Sequence, residues 1–189
     1  MNIANKLTLS RVLLTPVFLL LLYLKIPLNF LFALLVFIAA SLTDLYDGKL
    51  ARKRGLVSDF GKFLDPLADK ILVMAALTAF IGFSLAHPVA VILITAREFV
   101  VSGIRLVAVS GSGKVIAANL WGKLKTTIQM TVIISVMTFY EFSRIISSEK
   151  LMDAVIVFSN IAVWITAAFT VVSGVVYFMQ NWNIISDGI

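Results

Sequence analysis

Six stretches of predominantly apolar residues follow one another along this chain, at 7–26, 28–46, 65–85, 88–109, 120–142 and 152–178. Each comes within a few residues of the roughly 20 that a helix needs to cross a bilayer. They are separated at Lys25-Ile26-Pro27, at the polar stretch 47–64, at His87-Pro88, at Ser110-Gly111-Ser112-Gly113-Lys114, and from Ser147 to Lys150. The separators leave no room for a soluble domain, and the chain carries no internal repeat or low-complexity tract. Of its 189 residues, 60% are hydrophobic and only 14% are charged, with a mean hydropathy of +1.02. A soluble domain carries roughly 45–50% apolar and about 25% charged residues. One small core cannot hide this much apolar surface, so lipid is the natural solvent. The expected fold is all-α, a polytopic bundle of six transmembrane helices forming one integral-membrane domain over residues 1–189. No small-residue cleavage site follows the first apolar run, which is therefore expected to remain as the first span.

The net charge of +6 suits an anionic partner. In so apolar a chain, membrane phosphates fit better than nucleic acid. The absence of cysteine rules out disulfides, thiolate nucleophiles and Cys-ligated metals. Lys49, Arg52, Lys53, Arg54 and Lys62 crowd one inter-helix segment, and such segments stay on the cytoplasmic side. Lys6, Arg11, Lys114, Lys123 and Lys125 then fall on that side, against Lys25, His87, Arg144 and Lys150 on the other. Both termini are expected in the cytoplasm.

Ionisable groups at membrane depth are costly and point to function. Asp44 and Asp47 end the second span, and Asp65 and Asp69 begin the third. Pairs three or four apart share a helix face, and a connection of about 18 residues, counted from 47 to 64, would turn the two faces toward each other. Four converging carboxylates repel one another unless a divalent cation, or two, sits among them. Oxygen-only ligands favour Mg²⁺, Mn²⁺ or Ca²⁺ over zinc, and paired metals are a common arrangement for displacement at phosphorus. Gly48 and Gly61 sit where a bulky pyrophosphate needs close approach, and Arg52 has the fork for a phosphate.

The stretch reads Asp44-x-x-Asp47-Gly48-x-x-Ala51-Arg52, then eight residues, then Gly61-x-x-x-Asp65-x-x-x-Asp69. It resembles the signature of the CDP-alcohol phosphotransferase family at every defined position. The resemblance implies a six-helix membrane fold, often dimeric, with its metal site near the cytoplasmic surface of the cell membrane. It implies Mg²⁺ or Mn²⁺, two ions, held by Asp44, Asp47, Asp65 and Asp69, with Asp69 also the general base for the acceptor hydroxyl and Asp65 its neighbour in the catalytic pair. Gly48, Ala51, Arg52 and Gly61 would line the nucleotide and its phosphates. The implied donor is CDP-diacylglycerol, and CMP leaves.

The acceptor is read outside the motif. Arg97, Glu98 and Arg105 interrupt the fourth span. Glu98 and Arg105, seven apart, lie nearly on one face, with Arg97 offset by roughly 80–100°. Lys123 and Lys125 open the fifth span, Lys123 sharing a face with Thr126 and Lys125 pointing elsewhere, and Arg11 enters at the same level from the first. These cations suit an acceptor that carries a phosphate. Ala96-Arg97-Glu98-Phe99 with Arg105-Leu106-Val107, Gly122-Lys123-Leu124-Lys125-Thr126, and Asn5-Lys6-Leu7-Thr8-Leu9-Ser10-Arg11 are similar to stretches of family members that act on glycerol 3-phosphate. Ala4 departs from the proline common there. Glycerol 3-phosphate is the expected acceptor, with serine and inositol 1-phosphate as competitors. Simple snorkelling of Arg11, Lys123 and Lys125 to headgroups is the plainer alternative, and Arg97 could instead pair with Glu98 or with a motif aspartate. Glu98 reads as an ion-pair partner rather than a catalytic acid.

Other features get no catalytic part. His87 is expected far from the aspartates, Asp59 in a loop or at a helix N-cap, and Ser110-Gly111-Ser112-Gly113 in a turn. Tyr177, Phe178, Trp182 and Trp121 read as an interfacial aromatic belt, and Glu141, Arg144, Glu149 and Asp153 as solvated. A transporter or ion pathway is the competing class. It would spread charge through the bilayer depth or over repeat-related positions, whereas these carboxylates gather at one face.

Overall fold

A computed structural model describes the backbone of residues 3–54, 59–112 and 120–182, with side chains throughout except at 3–8, 44–54, 59–67, 69 and 105–112. Among the described residues the chain is all-helical: α1 (Ile3–Tyr23), α2 (Asn29–Arg54), α3 (Asp59–Gly82), α4 (Pro88–Ser112), α5 (Leu120–Ile146) and α6 (Glu149–Gln180). The short turns 24–28, 83–87 and 147–148 all fall at one end of the bundle. Each places one non-glycine residue in the left-handed region, Leu28 at φ 59°, Ser84 at φ 60° and Ser147 at φ 56°, a conformation that costs roughly 1–2 kcal/mol. Pro88 opens α4, where its missing N–H costs nothing. The Ser148 hydroxyl caps α6 by accepting the Leu151 N–H at 3.4 Å.

Two expected boundaries change. The polar stretch 47–64 is not one long loop: α2 runs on to Arg54 and α3 starts at Asp59. Lysine, arginine, leucine and alanine are good helix formers, so the charges end the apolar run without ending the helix. Likewise α4 continues through Ser110 to Ser112, past the expected start of the turn. α6 alone among the described residues is both long and apolar enough to cross a membrane by itself; α1, α2 and α3 hold shorter apolar segments, Leu9–Tyr23, Asn29–Thr43 and Lys70–Gly82. In α4 and α5 the charges at 97, 98, 123 and 125 interrupt the apolar run.

The helices form a closed ring in the order α1, α2, α5, α6, α4, α3. α1 packs along both α2 and α3, which touch each other at few points. Inside lie Phe18, Phe30, Phe37, Leu77, Phe80, Ile133 and Met137, all almost wholly buried. Outside, among the described residues, large apolar side chains stand exposed on every helix but α3, among them Leu13, Leu35, Ile92, Phe142 and Ile165. Hydroxyls on these helices bond inward to the carbonyl one turn back: Thr127 to Lys123 at 3.2 Å, Thr131 to Thr127 at 2.9 Å, Thr138 to Ile134 at 2.8 Å. A hydroxyl satisfied this way needs no water, which suits an apolar surround.

Candidate active site

The four aspartates sit where two helices reverse direction. Asp44 and Asp47, with Gly48, Ala51 and Arg52, occupy the last turns of α2, and Gly61, Asp65 and Asp69 the first turns of α3. Their side chains, and that of Arg105 on α4, lie outside the described residues. The helix ends that carry them face away from the three short turns. The acidic positions therefore share one end of the bundle with the start of α5.

Directly after Asp69, Lys70 reaches across to α4. Its Nζ donates to the Glu98 carbonyl oxygen at 3.1 Å and lies 3.7 Å from Glu98 Oε2. Glu98 Oε1 meets Lys125 Nζ from α5 and stands 3.7 Å from Arg97 Nη1. Arg97 in turn donates from Nη2 to Ser173 Oγ on α6 at 2.9 Å. One carboxylate thus gathers cations from three helices, and a fourth helix is reached through Arg97. Lys125 is 6% exposed and Glu98 13% at their side chains, so little water screens them. Removing one member of a buried ionic cluster strands the others and costs about 3–5 kcal/mol.

Of the cations expected to receive an acceptor, Lys125 and Arg97 come together here, while Lys123 is exposed. Arg11 is buried on α1. Glu98 is an ion-pair partner as expected, and of the alternatives for Arg97 it is Glu98 that pairs with it. Three participants were not foreseen: Lys70, Ser173 and Gly174. Gly174 matters because a Cβ there would lie 2.9 Å from Arg97 Cγ, so only glycine leaves room for the arginine stem.

The opposite end holds a second polar cluster, and it corrects the expectation that Glu141 is solvated, while Arg144 is exposed as expected. Glu141 is buried. Its Oε2 accepts the Phe30 N–H at 3.2 Å and the Arg144 Nη1 at 3.2 Å, because the first N–H groups of α2 need an acceptor and an anion suits that helix end. Arg144 also donates to Asn29 Oδ1, Asn29 donates to the Leu22 carbonyl at 2.6 Å, and the guanidinium lies 5.9 Å over the Phe30 ring. Glu149 and Asp153 are exposed. His87 stands at this end too, its Nδ1 accepting the Val89 N–H at 3.3 Å and its ring packing on Trp164 at 5.7 Å. Of the expected aromatic belt, Phe178 and Trp182 are exposed and packed edge to face at 5.0 Å. Tyr177 is instead buried: it falls on the inward stripe of α6 that also carries Thr166, Thr170 and Ser173.

Residues 1–172 match the model of a family described as CDP-alcohol phosphatidyltransferase. The CDP-diacylglycerol–glycerol-3-phosphate 3-phosphatidyltransferase of Bacillus subtilis (strain 168) is 41% identical, covering 96% of this chain and 96% of its own length. The protein of the same name from Rickettsia bellii is 38% identical over 94% of this chain and 93% of its own. That of Haemophilus influenzae is 40% identical over 68% and 71%. The chain belongs to the CDP-alcohol phosphatidyltransferase family.

Proposed function

We propose that, as a member of this family, the chain transfers the phosphatidyl group of CDP-diacylglycerol to glycerol 3-phosphate, giving phosphatidylglycerophosphate and CMP. The observation that carries the reading is likeness over nearly the whole length, 96% of both chains, to a relative named for that transfer. The grouping of Arg97 and Lys125 around Glu98, which also holds Lys70, the residue after Asp69, supports an acceptor with a phosphate.

In this reading the acceptor hydroxyl oxygen bonds to the phosphorus that bears the diacylglycerol, and the bond from that phosphorus to the CMP oxygen breaks. Asp69 takes the hydroxyl proton, with Asp65 beside it in the same carboxylate group. Arg52 binds the pyrophosphate, and Gly48, Ala51 and Gly61 leave room for the nucleotide. Arg97 and Lys125, with Arg11, Arg105 and Lys123 as further candidates, orient the acceptor through its phosphate. The donor set fits a hard divalent cation: four carboxylates and no cysteine, with the sole histidine at the other end of the bundle. Asp44, Asp47, Asp65 and Asp69 would hold Mg²⁺ or Mn²⁺, two ions, whose positive charge neutralises the pyrophosphate.

All six helices cross the cell membrane in one domain over residues 1–189, with the site and both termini at the cytoplasmic face and the protein a homodimer. The exposed apolar side chains and the inward-bonded hydroxyls support this placement. The test is CMP release by the purified protein from CDP-diacylglycerol. Glycerol 3-phosphate with Mg²⁺ is expected to drive release, EDTA to abolish it, and Asp69→Asn to lower the rate by about 10²-fold or more. Release with serine or inositol 1-phosphate and none with glycerol 3-phosphate would replace the acceptor. No release with any of them would remove the enzyme reading.

A further inference from the structure

Glu98 is, among the described residues, the one carboxylate that meets cations from three helices. Its two oxygens face different partners. Oε1 meets Lys125 from α5 and lies 3.7 Å from Arg97 Nη1. Oε2 lies 3.7 Å from Lys70 Nζ, and the same lysine donates to the Glu98 carbonyl at 3.1 Å. The first oxygen therefore holds the cations assigned above to the acceptor, and the second holds the stretch of α3 that begins at Asp69.

We propose that Glu98 is a positioning residue for the transfer reaction, fixing Lys125 and Arg97 relative to the segment of α3 that carries Asp69. The proposal rests on the reading that those two cations receive the acceptor's phosphate. A carboxylate would repel that phosphate, so Glu98 acts only through its partners. Lysine and arginine have the most rotamer freedom to lose on binding. An anion that already orders them before the acceptor arrives removes part of that cost from the binding step. Glutamine at 98 keeps the volume but replaces one oxygen with an NH₂ group. In either orientation this group points a donor at a cation, so one arm of the arrangement is lost.

The experiment measures initial rates with the full chain in lipid–detergent micelles, varying glycerol 3-phosphate at saturating CDP-diacylglycerol and the reverse. Glu98→Gln is expected to raise the KM for glycerol 3-phosphate about tenfold, the effect of losing one charge-assisted contact. The KM for CDP-diacylglycerol should change far less. Glu98→Asp, which restores the charge on a shorter stem, is expected to recover part of the loss and to leave the acceptor KM about threefold above wild type. A fall in maximum rate alone, with both KM values unchanged, is what a smaller folded fraction produces, and it would overturn the proposal. Should Glu98→Gln not fold, Glu98→Asp decides: a raised acceptor KM supports the role and an unchanged one removes it. Wild-type protein that uses another acceptor and ignores glycerol 3-phosphate removes the premise, and this proposal with it, independently of either variant.

Discussion

Gly174 and the stem of Arg97 occupy a space that one methyl group would fill. A Cβ at 174 would stand 2.9 Å from Arg97 Cγ and 3.3 Å from its Nε, and the bond from Arg97 to Ser173 keeps the side chain from swinging clear. Gly174→Ala is therefore expected to cost about 1–3 kcal/mol through overpacking, seen as a Tm several degrees lower in detergent. Gly103, with nothing within 4 Å of its hypothetical Cβ, is the control. Gly103→Ala should leave Tm unchanged or raise it slightly, since glycine is a poor helix former. At this scale the sequence reveals charge and hides packing. Arg97, Glu98 and the four aspartates stand out because each breaks an apolar run, and Lys125 stands out for the same reason. Ser173-Gly174 carries no such mark: small residues occur throughout membrane helices, and only the path of the arginine across them shows why these two are small. Which lysine turns inward was equally hidden, because burial of Lys125 over Lys123 depends on where Glu98 sits on the neighbouring helix.

Between elements, the decisive contacts are those that close helix ends. Glu141 supplies from α5 the acceptor that the first turn of α2 lacks, and it also holds Arg144. Glu141→Ala should leave a buried N–H unsatisfied and an arginine without its anion, at about 1–3 kcal/mol. Thermal unfolding should show the loss. The KM values for both substrates should stay near wild type, because this cluster lies at the end of the bundle away from Asp44, Asp47, Asp65 and Asp69. A matching rise in either KM would tie the two ends together. The six helices found among the described residues were legible as helices, since apolar stretches and their interruptions report them directly. Helix ends at the polar segments were not. Residues 47–54 read as loop because they are charged, yet lysine and arginine continue a helix readily once it leaves the hydrocarbon. The solvated reading of Glu141 failed for a related reason: a local sequence cannot show that a distant helix will present its free N–H groups to that side chain.

At the scale of the whole molecule, the ring of helices turns large apolar side chains outward on all but α3 and buries Lys125 and Glu141 among the described residues. The proposed topology can be read by labelling, since the chain has no cysteine of its own. In intact cells a membrane-impermeant maleimide is expected to reach Lys150→Cys, which is exposed near the start of α6. Lys53→Cys should react only after the cells are opened. The reverse pattern would place the aspartates on the outer face. Within that topology α5 carries a buried charge near each end, Lys125 in one cluster and Glu141 in the other. They are 16 residues apart (141 minus 125), which is about 24 Å of helix rise. Hydrocarbon averages roughly 30 Å in thickness. A helix fastened at two heights cannot lengthen to meet it. Both charges are buried, so the protein shields them where they lie below the headgroups. In the proposed membrane placement, the separation of the two ionic clusters is thus set by the helix that carries them and not by the thickness of the bilayer around it.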